Sequence, residues 1–124
     1  MDLLPRIPSD RQVINAYGDG GFRISGRHWT EPVLVFPGQT LAWGIAGIGD
    51  LSVPSLEPAF AMEPAVELLL IGCGPNMIFI DKGLRTEIRA RGLVIEALDT
   101  GAACRTYNLL MGEGRRVAAA LIPV

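Results

Sequence analysis

The stretch Leu93-Val-Ile-Glu-Ala-Leu-Asp-Thr-Gly-Ala-Ala-Cys-Arg-Thr-Tyr-Asn-Leu-Leu-Met-Gly-Glu-Gly-Arg-Arg-Val-Ala-Ala-Ala-Leu-Ile122 decides the fold. Its first six residues are nearly all apolar, the composition of a strand covered on both faces. Asp99-Thr100 supplies side-chain oxygens for the free N–H groups that open a helix. Ala103, Tyr107, Leu110 and Met111 then recur at helical spacing and form one apolar stripe. Gly112 and Gly114 end the helix, and Val117 to Ile122 is a further apolar strand. Upstream, Val66-Glu-Leu-Leu-Leu-Ile71 reads as another strand buried on both faces, closed by Gly72-Cys-Gly-Pro75. Leu84 and Ile88 are spaced for a helix that runs to Arg91 and stops at Gly92. Met77 to Ile80 reads as a strand or an apolar loop. Strand, helix, strand, helix, strand is the order that produces parallel pairing through right-handed crossovers.

The N-terminal third has a different grammar. Val13 to Ala16 and Phe22 to Ile24 flank the turn Tyr17-Gly-Asp-Gly-Gly21, the pattern of a hairpin. Ser25-Gly-Arg-His28 is another turn. Val33-Leu-Val-Phe36 is a compact apolar run stopped by Pro37-Gly38, and Thr40 to Trp43 is a shorter strand. Tight connections imply antiparallel pairing. Residues 55–61 are expected to form a short helix with Ser55 as N-cap and Pro58 in the first turn. Residues 1–11 are polar and broken by proline, and are expected to be a flexible arm preceding one domain over residues 12–124. The fold expected is α/β: a single three-layer domain with a central mixed sheet, helices on its faces and a β-rich N-terminal part.

Composition narrows the function. The chain has 124 residues, enough for a core without covalent staples. Hydrophobic residues make up 49% and charged residues 19%, which argues against disorder. A net charge of −2 excludes binding to nucleic acid through bulk phosphate attraction. Two cysteines without Cys-x-x-Cys spacing, and one histidine, His28, make neither a disulfide scaffold nor a His-rich metal site. No secretory leader and no membrane span is read, so a soluble, cytoplasmic protein without metal or cofactor is expected. No catalytic set of nucleophile and base stands out.

Ligands of open parallel sheets bind at the carboxyl ends of the strands. Two such ends carry suggestive residues: Gly72, Cys73 and Gly74 after one, Asp99-Thr100 after the other. Thr100, Arg105 and Asn108 on the helix would complete a pocket for a carboxylate or phosphate. The plainer reading makes the glycines a turn, Thr100 an N-cap and Arg105 the ion-pair partner of Asp99 or Glu96. Cys104, one turn into the helix, is either buried packing or a thiol made reactive by the helix N-terminus. Glu96 interrupts an apolar strand and is expected to be buried against Arg105, Arg115 or Arg116. Trp29, Trp43, Phe36 and Phe60 are read as core. Arg85, Arg89 and Arg91 form either a solvated helix face or a docking patch for an acidic partner.

The 92–121 stretch, with Thr100, Arg105, Thr106, Tyr107, Asn108, Glu113 and Arg115 in register, resembles the Mth-like domain family. Leu69-Leu-Ile-Gly-Cys-Gly74 resembles its strand-plus-glycine element, and the similarity runs from Val13 onward. Cys73 departs from the threonine expected there, which speaks against an obligatory hydroxyl at that position. The family includes an assembly factor of mitochondrial respiratory complex I. The resemblance implies a three-layer α/β domain and a non-enzymatic protein-interaction or assembly-factor-like module with a protein partner. The alternative is a small-molecule or anion-binding domain, and possibly an enzyme, using the pocket above.

Overall fold

The structure, a computed structural model, describes residues 10–124. Most of the arm expected over 1–11 lies outside the described residues. The chain opens with an antiparallel meander of β1 (Ile14–Gly18), β2 (Gly21–Ile24) and β3 (Arg27–Trp29). Both of its turns have two residues with positive φ, Asp19 (52°) with Gly20 (76°) and Ser25 (46°) with Gly26 (83°). That backbone matches the twist of the flanking strands and is the reason Asp-Gly and Ser-Gly stand there.

A five-stranded mixed sheet follows, built from β4 (Val33–Phe36), β5 (Gln39–Ala42), β6 (Leu68–Gly72), β7 (Val94–Leu98) and β8 (Val117–Leu121) in the order β5-β4-β8-β6-β7. β6 is parallel to both β7 and β8, while β4 is antiparallel to both β5 and β8. Between β5 and β6, the short helix α1 (Glu57–Phe60) packs beneath the sheet. Helix α2 (Lys82–Ala90) links β6 to β7, and helix α3 (Thr100–Gly112) links β7 to β8.

The two crossovers run in opposite directions across the sheet, since β8 lies on the far side of β6 from β7. Right-handed connections of opposite direction place their helices on opposite faces. Accordingly Val33, Val35, Leu70 and Ala119 meet α3 and the meander in one core cluster. Leu34, Phe36, Leu69, Ile71, Ala118 and Ala120 meet Ile88 of α2 in the other. The alanines of β8 keep the central strand thin where it is covered on both sides. The three layers are therefore the meander with α3, the five-stranded sheet, and α2 with the 3₁₀ turns and α1.

Three local expectations are corrected. Ser55 does not cap a helix: it forms a closed turn with Ser52, whose O accepts from Ser55 Oγ at 2.6 Å, and a 3₁₀ turn precedes α1. Arg27 and His28, expected in a turn, pair with β2 as the start of β3, and of the two readings of residues 77–80 the loop holds. Strand β7 lies at the sheet edge, and α3 leaves part of its face open. Glu96 is exposed there, with no buried ion pair, because Arg105 and Arg116 turn to other partners.

Candidate functional site

The carboxyl ends of β6 and β7 do meet at one rim, and Gly72, Cys73, Gly74 and Thr100 are buried there together. Asp99 is the cap of α3, its carboxylate accepting from Ala102 N at 2.8 Å. This leaves the Thr100 hydroxyl for tertiary use. It donates to Ile122 O at 2.7 Å and accepts from Gly74 N at 2.9 Å. The Thr100 N–H donates to Gly74 O at 2.8 Å, Cys73 N–H to Leu98 O at 2.9 Å, and Ile122 N–H to Gly72 O at 3.0 Å. Every one of these groups is thus engaged within the fold, and the rim is a knot joining the ends of β6, β7 and β8. Gly72 is required by closeness: a Cβ there would lie 2.9 Å from Leu121 Cδ2 and 3.0 Å from Thr100 Cα.

Asn108 is carried away from that rim by the helix, whereas the Arg105 guanidinium folds back along its first turn, 3.1 Å from where a Cβ on Gly101 would stand. The exposed Arg105 guanidinium donates to the Tyr17 hydroxyl on β1. The Asn108 side chain grips the backbone of Ile14 twice, accepting from its N–H at 2.9 Å and donating to its O at 2.8 Å. Next to it, the fully buried Tyr107 donates from its hydroxyl to Gln12 O at 2.9 Å. The Arg-Thr-Tyr-Asn run is therefore a clasp that holds the meander on α3. No three His, Cys, Asp or Glu side chains converge as a metal set among the described residues.

Residues 14–122 match the family model described as a protein of unknown function, DUF498/DUF598. The chain belongs to that family. Among relatives of this DUF498 chain, a zebrafish (Danio rerio) protein named NADH dehydrogenase [ubiquinone] 1 alpha subcomplex assembly factor 3 is 35% identical over 99% of the chain and 71% of its own length. An uncharacterised protein of Rhodobacter capsulatus is 38% identical over 98% of the chain and 94% of its own length. The solution structure of a Mth938-like domain from Bordetella pertussis superposes with a TM-score of 0.81 at 30% identity, covering 99% of this chain and 92% of that one. The resemblance to the Mth-like family and the three-layer fold it implies both hold.

Both cysteines of this DUF498 chain are free and buried. Burial pushes the Cys104 thiol up to about 12, against a weaker opposing pull from Arg105. Burial likewise raises the Tyr107 hydroxyl. The helix N-terminus thus loses to desolvation, and native Cys104 is expected to alkylate slowly near neutral pH and quickly once unfolded. The unfolded chain releases the thiol proton around its ordinary value of 9.0 while the folded chain retains it. Stability contributed by the buried neutral groups is full below that value and falls as pH rises toward 12. Urea melts at about pH 8 and about pH 10 test this, with the decline shallower in Cys104→Ala; equal declines in the two proteins would contradict it.

The loop that leaves the rim was the least legible feature of this region. Met77 and Ile78 are half exposed, and Phe79 is 87% exposed. The loop leads through Asp81, which caps α2 by accepting from Leu84 N at 3.1 Å, into Lys82, Arg85 and Arg89. The 3- and 4-residue steps put these three cations on one face of α2, away from Ile88. Arg91 does not join them: it sits over the Phe60 ring at 4.1 Å and pairs with Glu57 at 3.1 Å.

Proposed function

We propose that this chain is a non-catalytic protein-interaction module that assists assembly of an NADH dehydrogenase complex in the cytoplasm. Its docking surface would be the 77–79 loop with the basic face of α2. The observation that carries the reading is the Met77-Ile78-Phe79 tip. A phenyl ring left almost wholly in water adds nothing to the core, and exposed apolar patches of this kind mark association sites. Lys82, Arg85 and Arg89 flank it, so the complementary partner offers an apolar pocket rimmed by carboxylates. Relatives named as assembly factors support the same class of role. No helix among the described residues is long and apolar enough to cross a membrane.

Deleting the gene in its host is expected to reduce fully assembled NADH dehydrogenase on native gels, with the wild-type gene restoring it. Phe79→Asp is expected to melt within about 2 °C of wild type, as exposed substitutions do, and yet to fail in restoration. A normal complement of the enzyme in the deletion strain would end the reading. Full rescue by Phe79→Asp would remove the docking surface from it.

A further inference from the structure

At the opposite edge of the sheet, beside the amino ends of β6 and β8, lies a cavity of about 510 Å³. Its volume falls in the range of small-molecule sites. The floor is apolar: Phe36 from the end of β4, Val66 before β6, Val117 at the start of β8, Met111 from α3 and Met62 from the connecting segment. Two methionines beside a phenylalanine give a floor that adapts to an irregular guest. The rim is cationic, with Arg11, Arg115 and Arg116 beside the carboxylate of Glu63. Arg116 is paired with Glu67, and Arg115 lies near enough to help hold that carboxyl below its ordinary value, so among the described residues three guanidiniums stand against two carboxylates, Glu63 and Glu67, at the mouth.

At the neighbouring end of α3, Met111 O accepts from Gly114 N–H at 3.0 Å and Leu110 O from Arg115 N–H at 3.0 Å. The mouth is also held in place. Gln12 N–H donates to Pro37 O at 2.9 Å, which fixes Arg11 beside the β4–β5 turn. Glu67 N–H donates to Arg116 O at 2.8 Å, which fixes the arginine pair beside the entry to β6.

We infer that this cavity binds an amphipathic anion, with a carboxylate or phosphate head on Arg11 and Arg115 and an apolar body over Phe36, Met62 and Met111. Guanidinium recognises the planar or tetrahedral oxyanion through paired hydrogen bonds. The apolar floor excludes small inorganic anions as preferred ligands, because they would leave it wetted. The site is independent of the 77–79 loop, which lies at the other rim.

Amide resonances of the full chain, titrated at neutral pH with decanoate kept below micelle formation, provide the test. Saturable shifts at Phe36, Met62, Met111 and Val117 are expected. Arg115→Glu should weaken binding about tenfold or more, the scale of one lost charge-assisted contact. Arg23→Glu, the same charge change at an exposed site on β2, should leave it unchanged. Met62→Trp, which fills the cavity and keeps its charge, should also abolish saturation. Decanol should bind at least about tenfold more weakly than decanoate, for want of the head group, and decyl phosphate should match decanoate. Equal affinity for decanol, equal affinity of inorganic phosphate, or retention of binding in both Arg115→Glu and Met62→Trp would each overturn the assignment.

Discussion

Replacing Thr100 by valine is expected to lower stability by about 2–4 kcal/mol, because one buried and one part-buried backbone group lose their partner at once. Valine has nearly the shape of threonine, so the loss isolates the hydroxyl. Gly74 N–H and Ile122 O, which it joins at 2.9 and 2.7 Å, lie at the ends of β6 and β8. The side chain is wholly buried, so water cannot substitute without opening the rim. In thermal denaturation followed by circular dichroism, the midpoint should fall on the order of 10 °C for a domain of this size. Thr100→Ser, which keeps the hydroxyl, should recover most of the difference. A valine variant melting within a degree or two of wild type would show that the knot contributes little.

Truncating Tyr107 to alanine is the second large effect, at about 3–5 kcal/mol. The ring is fully buried among Ile14, Phe22, Ile24 and Trp29 of the meander and Ala119 of the sheet. Its removal leaves a cavity at the junction of two layers. Tyr107→Phe removes only the bond to Gln12 O and should cost about 1 kcal/mol. Hydrogen exchange distinguishes a local from a global effect. Amides of β1 to β3 should lose protection in Tyr107→Ala before those of β6 and β8. Uniform loss across both sheets would contradict the picture of a meander held by one clasp.

The sheet was legible from residues 66–122 because its signals are local. Asp99 caps a helix whose apolar stripe is periodic, glycines close each helix, and the strands between are continuous apolar runs. The hairpin turns of the meander were legible for the same reason, since Asp-Gly and Ser-Gly report a backbone conformation directly. The roles of the candidate residues were not legible, because they are tertiary. Thr100 reads as a cap until Asp99 takes that place, and its hydroxyl then bonds residues 22 and 26 positions away. Arg105 and Asn108 look like rim residues from their nearness in sequence to Thr100, yet their partners are on β1, about 90 residues earlier. Glu96 looked buried because β7 is apolar, and only the strand order puts it at an edge. The cavity with Arg11, Arg115 and Met62 draws on four separated segments, so no spacing in the chain announces it. The exposure of Phe79 is similarly invisible in an apolar run that pattern alone leaves open between a strand and a loop.

The order of strands constrains how the molecule is made. β4 takes its place beside β8, which follows every other described strand in the chain, and the clasp on the meander comes from the helix just before it. As the chain leaves the ribosome, Val33 to Phe36 therefore waits for residues 117–121 before one of its edges is paired. The meander and β4 keep apolar faces uncovered until α3 and β8 have followed, and that interval is when nascent chains of this topology are most exposed to misassociation.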